Sequence, residues 1–255
     1  MVKQVLIGLV GLYRTFKKTS PFLFEKLIYP NQNKYKFKIV INTDLKCIDR
    51  HINKGHGWKP SSVWKYSNKY DLDRDLKECY NKHNQLKNII YYSNENKKIG
   101  GTGIFKKRIK QILNNEEKEY DLYFFIRLDV YPTEIINLDN FLNKSSIITS
   151  SNITSGQLHK RDIDWCWLGG RNHFLMFINT PLNKFINIDL NMDDVVEICM
   201  KTKLKGKFYK NIERKGIMGN NWTIRWYKLL YYMFQNNCNF DLKHEKTRLY
   251  VKIIR

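Results

Sequence analysis

The stretch that most constrains the fold is residues 120–132, YDLYFFIRLDVYP. The short aromatic run 122–126 lies between polar residues and is closed by a proline, a pattern typical of a buried central strand rather than a helix. Arg127 and Asp129 follow at period two, so we expect them on one face at the carboxyl end of this strand. Ligands bind at that end in open α/β sheets. The pair is therefore either a ligand site or a structural ion pair held by neighbouring backbone groups.

The first 44 residues have the pattern of a β-α-β unit. Residues 2–10 are rich in leucine and β-branched side chains, which predicts a first strand, and residues 35–42 predict a second. Because the segment between them fits a helix, we expect two parallel strands with a ligand crevice above their carboxyl ends. The residues at these ends are Gly11, Leu12, Arg14, Thr15, Asn42 and Asp44.

The turn at Gly11 has two interpretations. A strand that breaks at glycine and enters a segment opening with Arg14 and Thr15 commonly presents backbone N–H groups and a cation to a phosphate. The same residues also fit a tight connection in which Arg14 is simply solvated. One glycine turn does not separate these alternatives.

Hydrophobic spacing predicts the remaining elements. The helix between the first two strands is expected over 19–29, with Thr19 or Ser20 as N-cap, Pro21 at the first helical position and Pro30 in the break that follows. Residues 133–142 fit a short helix or loop packed by Ile135, Ile136, Leu138 and Phe141. Further helices are predicted over 71–85, 102–113, 172–179 and 221–234, and further strands over 88–92, 145–151 and 248–255.

The chain is strongly basic. It has 45 Lys and Arg against 24 Asp and Glu, a formal charge of +21, which favours nucleic acid, an anionic membrane surface or phosphate-bearing small molecules as partners. Most of the surplus is lysine scattered beside abundant Asn and Ile, residues that share AT-rich codons, so genome composition is an alternative explanation for much of the charge. The basic segment 102–113 fits a DNA-reading helix or a lysine-rich surface helix, and no second basic helix or turn signature supports a DNA-binding motif.

The cysteines and histidines do not predict a metal or disulfide framework. The five cysteines are widely separated and include no CxxC pair, which is typical of reduced thiols in a cytosolic protein. His51 and His56 have no carboxylate or cysteine at a supporting spacing, so they are interpreted as solvated loop residues. No apolar run has transmembrane length. We therefore expect a cytoplasmic location, the host cytoplasm if the protein is viral.

A second polar cluster occupies residues 161–170, RDIDWCWLGG. Asp162 and Asp164 directly precede an aromatic strand and a Gly169-Gly170 turn that we expect to face the crevice. A helix N-cap or a loop salt bridge accounts for one of these carboxylates more easily than for both.

The three predicted strand ends near Gly11, Asn42 and Arg127 line one crevice if the sheet is parallel. This crevice offers backbone N–H groups, guanidinium groups and a carboxylate, a combination that suits a diphosphate bridged by a divalent cation. Mg²⁺ and Mn²⁺ bind oxygen ligands and commonly use one or two carboxylates together with substrate phosphates. Asp129 is the carboxylate that this hypothesis assigns to the metal.

Three motifs occur in order along the chain: IGLVGLYRTFKKT, YDLYFFIRLDVYP and DIDWCWLGGRNHFLMF. Together they resemble landmarks of a family of small GT-A-type nucleotide-sugar glycosyltransferases found in bacteria and large DNA viruses. In that family an opening strand enters a G-x-x-R-T-F turn, a central strand carries an aspartate in place of a DxD metal motif, and an acidic segment precedes a helix. The resemblance covers about residues 2–177.

The resemblance implies an α/β fold that is GT-A-like (Rossmann-like), with a mostly parallel central sheet flanked by helices. We expect a single domain over 1–255, with a nucleotide-binding half over 1–130 and an acceptor-side half over 131–255. The resemblance places the diphosphate at Gly11, Leu12, Arg14 and Thr15, the base or ribose at Asn42 and Asp44, the sugar diphosphate at Arg127 and Asp129, and the acceptor beside Asp164.

Two positions depart from the family pattern. Leu128 leaves no true DxD motif, which bears on the Mn²⁺ or Mg²⁺ expected at Asp129. Trp226 and Tyr227 stand in the closing helix where an acidic residue is expected, which bears on the acceptor site and on activity.

The implied reaction is attack by an acceptor hydroxyl of a glycan or glycoprotein on the anomeric carbon of a nucleotide sugar. An inverting enzyme needs one general base, for which Asp164 is the first candidate and Asp162 the second. A retaining enzyme does not use Asp164 in this way, and the sequence does not choose between these outcomes. The alternatives are a basic nucleic-acid-binding protein and an inactive relative of the same fold that serves as a scaffold.

Overall fold

A computed structural model describes residues 2–13, 15–44, 68–92, 101–142, 146–151, 166–179, 239–241 and 249–253. Several sequence predictions lie outside these residues. They concern Arg14, His51, His56, Asp162, Asp164, a further helix predicted over 181–185, a basic loop predicted over 201–215 and the helix at 221–234.

Nine strands among the described residues join one sheet. Five of their eight pairings are parallel, so the sheet is mixed and mostly parallel. The strands are β1 (Lys3–Val10), β2 (Tyr35–Thr43), β3 (Leu86–Tyr91), β4 (Leu122–Arg127), β5 (Val130–Pro132), β6 (Ser146–Ser151), β7 (Cys166–Gly169), β8 (Asn239–Asp241) and β9 (Leu249–Ile253).

The helices of the described residues connect these strands. Two short 3₁₀ segments, Lys82–Asn84 and Leu138–Phe141, and a π-helical segment, Phe24–Ile28, accompany them. The α-helices are α1 (Phe16–Leu23), α2 (Tyr29–Asn31), α3 (Lys69–Tyr80), α4 (Gly101–Asn114) and α5 (Arg171–Asn179).

The order of the strands defines the place where a ligand is expected. The sheet runs β3-β2-β1-β4-β7-β6-β9-β5, and β8 pairs with β6. Strands β1, β2, β3 and β4 are all parallel to one another. The chain proceeds outward from β1 through β2 to β3 and then returns to the other side of β1 as β4. The reversal lies between β1 and β4, and this switch point is where open α/β sheets bind ligands.

Helices cover both faces of this parallel part. The alternate β1 residues Val5, Ile7 and Leu9 belong to a buried core that also contains residues of α1 and α3. Between them, Gly8 faces α4, and a Cβ at this position would lie 2.3 Å from Phe125 Cδ1 and 3.2 Å from Ile112 Cδ1. A glycine is therefore needed here for β1 and β4 to accept α4 at this distance. The expectation of an α/β sheet flanked by helices is confirmed.

A second apolar cluster lies on the α4 face. It is built from aromatic rings that pack at short range and extend from β4 and β7 into α4 and α5. The Phe125 and Phe174 ring centroids are 4.7 Å apart, and those of Phe105 and Trp167 are 5.2 Å apart. Because the sheet has a buried core on each face, β4 is apolar on both sides, which explains the uninterrupted run in the sequence.

The prediction of the first helix is wrong at its start. The helix begins at Phe16, after Thr15, rather than at Thr19 or Ser20, and Pro21 lies inside it. Thr19 does not cap the helix, because it lies inside it; its hydroxyl donates to the Leu128 carbonyl across 2.6 Å.

The chain remains helical through Pro30, which we expected to break it. Proline has no N–H to donate to the carbonyl of Lys26 four residues earlier. That carbonyl instead accepts the Ile136 N–H across 2.8 Å. A tertiary hydrogen bond thus satisfies the carbonyl that the proline leaves without a helical partner.

Most other element predictions are confirmed within two or three residues, while α3 ends at Tyr80, five residues before the predicted end. Ile135 is 65 % exposed and does not join the core, unlike Ile136, Leu138 and Phe141. The 1–255 single-domain organisation and its two halves stay a prediction. No helix of the described residues has the length and apolar character needed to cross a bilayer.

The Gly169-Gly170 turn does not face the predicted crevice. Strand β7 runs antiparallel to β4, with Cys166 opposite Ile126 and Gly169 opposite Tyr123. The chain therefore enters β7 beside the carboxyl end of β4 and leaves it at the opposite edge. The start of β7 at Cys166, rather than the glycine turn after its end, therefore lies beside the carboxyl end of β4.

Candidate functional site

The ends of β1, β2 and β4 lie in one row. Val10 pairs with Asn42 on one side and with Arg127 on the other. Neighbouring strands are about 4.8 Å apart, so the Asn42 and Arg127 Cα atoms are about 10 Å apart. The structure thus brings together the three strand ends that the sequence predicted to meet.

Gly11 forms the turn directly after β1. Its φ is +111°, a conformation that side chains other than glycine rarely adopt. Its N–H donates to the Asn42 carbonyl across 3.1 Å and is therefore used within the protein rather than offered to a phosphate. A Cβ at this position would lie 4.0 Å from Arg127 Cγ, which shows that the Arg127 side chain passes beside the turn. Leu12 is half-buried.

Arg127 and Asp129 form a bidentate ion pair. Arg127 Nε donates to Asp129 Oδ1 across 2.9 Å, and Nη2 donates to Oδ2 across 2.7 Å. Two parallel hydrogen bonds of this kind are strong and fix the plane of the guanidinium group. The structure therefore brings the two residues together as the period-two spacing predicted, although β4 ends at Arg127 and Asp129 lies in the turn that follows.

The turn that carries Asp129 is fixed from two sides. The Leu128 N–H donates to the Val10 carbonyl across 3.1 Å, which extends the β1–β4 pairing by one bond. The Leu128 carbonyl accepts the Thr19 hydroxyl across 2.6 Å. Because both peptide groups of Leu128 are held, the Asp129 carboxylate has a defined position under Arg127.

The two members of the pair differ in exposure. The Arg127 side chain is 24 % exposed, and the Asp129 side chain is 5 % exposed. Arg127 is therefore the more accessible member of the pair. This part of the switch point suits an anion.

A buried arginine of α4, Arg108, contacts the end of β2. We call the Arg108 cluster the group formed by Asn42, Asp44, Tyr92 and Arg108. Arg108 Nη1 donates to the Asn42 carbonyl across 2.9 Å, and Nη2 donates to Asp44 Oδ2 across 2.5 Å. The guanidinium carbon lies 4.7 Å from the centre of the Tyr92 ring. Burial lowers the pKa of Arg108, and the neighbouring Asp44 carboxylate opposes that shift.

The Arg108 cluster changes the roles expected for Asn42 and Asp44. The Asn42 amide is fully buried, and its Nδ2 donates to Gln111 Oε1 across 2.8 Å. Its side chain is thus occupied inside the protein and shapes the edge of the sheet. The Asp44 side chain is 18 % exposed and is the acidic group that a ligand would meet at this strand end.

The sequence analysis missed Arg108 and Tyr92. Arg108 occupies the apolar stripe of α4, three residues after Phe105 and four before Ile112, and it is only 3 % exposed. A charged residue inside an apolar helical stripe signals a buried partner. That signal was present in the sequence, where Arg108 was grouped with the lysines around it.

The remaining predicted site residues have different outcomes. Thr15 is 5 % exposed and directly precedes α1, where its carbonyl accepts the Lys18 and Thr19 N–H groups. Its assignment to the diphosphate stays a prediction. Asp162 and Asp164 lie outside the described residues, and the strand that follows them begins beside the end of β4.

The described residues do not fit a resident divalent cation at Asp129. Both Asp129 oxygens accept from Arg127, and Asp44 Oδ2 accepts from Arg108. Within the described ranges, no group of three or more His, Cys, Asp or Glu side chains is placed to hold a metal ion. The Mn²⁺ or Mg²⁺ assignment to Asp129 therefore receives no support from this geometry.

The basic residues of α4 do not form one exposed face. Lys106 and Arg108 are buried, whereas Lys107 and Lys110 are exposed. A helix that reads DNA presents its contacting side chains on the face that enters the groove. The arrangement is that of a surface helix with a buried side, the second of the two interpretations of this segment.

Comparison with known proteins does not identify a family for this chain. Neither a scan of protein-family models nor a search of curated proteins finds a match for this chain. Because a fold by itself does not define an activity, the function is argued from the chemistry at the switch point.

Proposed function

We propose that the chain is a glycosyltransferase with a GT-A-like fold, which transfers a sugar from a nucleoside-diphosphate sugar to a hydroxyl group of a glycan or glycoprotein. The observation that carries the proposal is the bidentate Arg127–Asp129 pair at the switch point between β1 and β4, in which the Arg127 side chain is 24 % exposed. The three ordered sequence motifs give the proposal its reaction class.

The chemistry of the switch point favours a diphosphate. Guanidinium groups bind phosphate oxygens in a planar, two-pronged geometry, and Asp129 fixes the plane of Arg127 in advance. The Gly11 turn beside Arg127 has no side chain to obstruct the approach of a ligand. Asp44, the partly exposed carboxylate at the end of β2, suits a ribose hydroxyl on the nucleoside side of the same ligand.

The transfer is balanced without a further reactant. The acceptor oxygen forms a bond to the anomeric carbon, and the bond from that carbon to the diphosphate oxygen breaks. The electron pair leaves with the nucleoside diphosphate, and the acceptor proton passes to a base, for which Asp164 is the first candidate and Asp162 the second. Negative charge grows on the departing diphosphate, so Arg127 stabilises the transition state more than the ground state.

A thermal-shift panel tests this proposal. The ligands are UDP-, GDP-, dTDP- and CMP-linked sugars, each with EDTA and with added Mn²⁺ or Mg²⁺, and inorganic pyrophosphate is the control without a nucleoside. We expect one nucleotide family to raise the unfolding midpoint more than pyrophosphate does. A ligand at about a hundred times its dissociation constant adds roughly 2.7 kcal/mol to stability, which is readily measured.

Three outcomes separate the hypotheses. No shift with any nucleotide sugar contradicts the proposal, and tight salt-sensitive binding to DNA or RNA in the same sample favours the nucleic-acid alternative. Binding without release of nucleotide in the presence of glycan acceptors favours an inactive relative that serves as a scaffold.

A further inference from the structure

The geometry points to an arginine in the role of the metal ion. We infer that Arg127 itself, rather than a metal ion, binds the diphosphate, and that Asp129 is a positioning residue for Arg127 rather than a metal ligand. The inference rests on the proposed function and specifies how the donor is held.

The hydrogen bonds between Arg127 and Asp129 leave little room for a metal ion. Each Asp129 oxygen accepts from a different nitrogen of Arg127, at 2.9 and 2.7 Å. A divalent cation at this carboxylate would replace one of these charge-assisted bonds and would lie beside a like charge. The carboxylate is therefore arranged to hold a guanidinium group and is poorly arranged to hold a metal ion.

Asp129 is more deeply buried than Arg127. Asp129 is 5 % exposed and lies in a turn whose Leu128 peptide groups are bonded to Val10 and Thr19. Arg127 is the more exposed member. An anion at the switch point thus has easier access to Arg127, whose plane the carboxylate fixes, than to Asp129.

The neighbouring strand end has the same arrangement. Asp44 is the other acidic residue of the described carboxyl ends of β1, β2 and β4, and its Oδ2 accepts from the buried Arg108. Each of these two carboxylates is matched by its own arginine. The pattern predicts a donor site in which arginine side chains already hold both of these carboxylates, so that added Mn²⁺ or Mg²⁺ contributes little to binding.

Titration calorimetry with UDP, GDP, dTDP and CMP tests the inference. For the nucleotide that binds, we expect the dissociation constant in EDTA to equal that in Mn²⁺ or Mg²⁺ within about twofold, or to be lower, because cations shield the phosphates from Arg127. A dissociation constant that is at least tenfold higher in EDTA than in Mn²⁺ or Mg²⁺ overturns the inference and leaves the proposed function intact. Binding of none of the four nucleotides in either condition overturns both.

The substitution Asp129→Asn separates positioning from simple charge. The amide of Asn accepts hydrogen bonds on one atom only, so the plane of the Arg127 guanidinium group is no longer fixed. We therefore expect the dissociation constant in EDTA to rise at least fivefold. Glu134→Gln removes an exposed acid five residues away and is the matched charge control, expected to change affinity less than twofold.

The opposite sign contradicts the positioning role. Removing a negative charge next to an anion strengthens binding if charge alone matters, so tighter binding by Asp129→Asn overturns the inference. A loss of affinity seen only with Mn²⁺ or Mg²⁺ identifies Asp129 as a metal ligand and overturns it as well. Unfolding midpoints of both variants, measured without ligand, separate a loss of affinity from a loss of fold.

Discussion

Lys106 shows how far the surroundings of one residue shift its chemistry. It lies on α4 and is only 5 % exposed. Burial lowers its pKa from the ordinary value of 10.5 to about 8. Below pH 8 the ammonium group is charged in both the folded and the unfolded chain, so the folded state bears the full cost of burying it.

The pH dependence of stability follows from this shift. Between pH 8 and 10.5 the unfolded chain binds a proton at Lys106 that the folded chain does not, so this residue makes stability rise with pH across that window. The gain between pH 7 and pH 10.5 is about 3 kcal/mol. The variant Lys106→Met has no ionisable group at this position and does not gain this stability. We therefore expect its free energy of unfolding, relative to that of the wild type, to fall by the same amount between pH 7 and pH 10.5.

Urea unfolding at the two pH values measures this difference, and Lys107→Met is the control because Lys107 is exposed on the same helix. The control is expected to show the same offset from the wild type at both pH values. An unchanged offset for Lys106→Met would contradict a lowered pKa.

The sequence predicted which residue types occupy the site better than it predicted their contacts with residues that are distant in the chain. The period-two spacing of Arg127 and Asp129 was enough to place the two side chains together. It did not predict that the carboxylate is the buried member, because that depends on Val10 and Thr19, which are distant in sequence and hold the turn at Leu128. Arg108 was missed for the same reason, since Asn42 and Asp44 are more than sixty residues away.

The helical segment between β1 and β2 illustrates the same limit for an element. Proline rules correctly identify missing N–H groups at Pro21 and Pro30 but do not predict where the freed carbonyls find partners. The Lys26 carbonyl is satisfied by Ile136, more than a hundred residues later. The parallel strands β1 to β4 were predicted well, because their apolar runs and intervening helices are local patterns.

Asn31 joins the end of this helical segment to residues 136–138. Its Nδ2 donates to the Leu27 and Ile136 carbonyls across 2.6 and 2.7 Å, and its Oδ1 accepts the Leu138 N–H across 3.1 Å. The side chain is buried, so water does not replace these bonds easily. Asn31→Ala is expected to lower the free energy of unfolding by about 3 kcal/mol, because buried groups lose their partners.

Denaturant unfolding of Asn31→Ala measures this loss, with Asn33→Ala as the control. Asn33 is exposed two residues further on and is expected to change stability by less than about 0.5 kcal/mol. Equal effects of the two substitutions would show that Asn31 is not a structural link between α2 and the segment after β5.

At the scale of the whole molecule, the charge of +21 and the position of the site carry different information. The net charge attracts any polyanion through long-range forces that salt screens. Among the described residues, the switch point places the oriented guanidinium group of Arg127 next to the Gly11 turn, which favours a compact diphosphate. The two descriptions predict different effects when single positive charges are removed.

The decisive measurement is the dissociation constant of the nucleotide identified by the thermal-shift panel, determined by calorimetry for the wild type, Arg127→Met and Lys107→Met. Both substitutions remove one positive charge, but only Arg127 lies at the switch point. If Arg127 binds the diphosphate, Arg127→Met weakens binding at least tenfold, about 1.4 kcal/mol, while Lys107→Met stays within twofold of the wild type. Equal dissociation constants for the two variants would contradict this role of Arg127, because binding would then depend on overall charge rather than on this site.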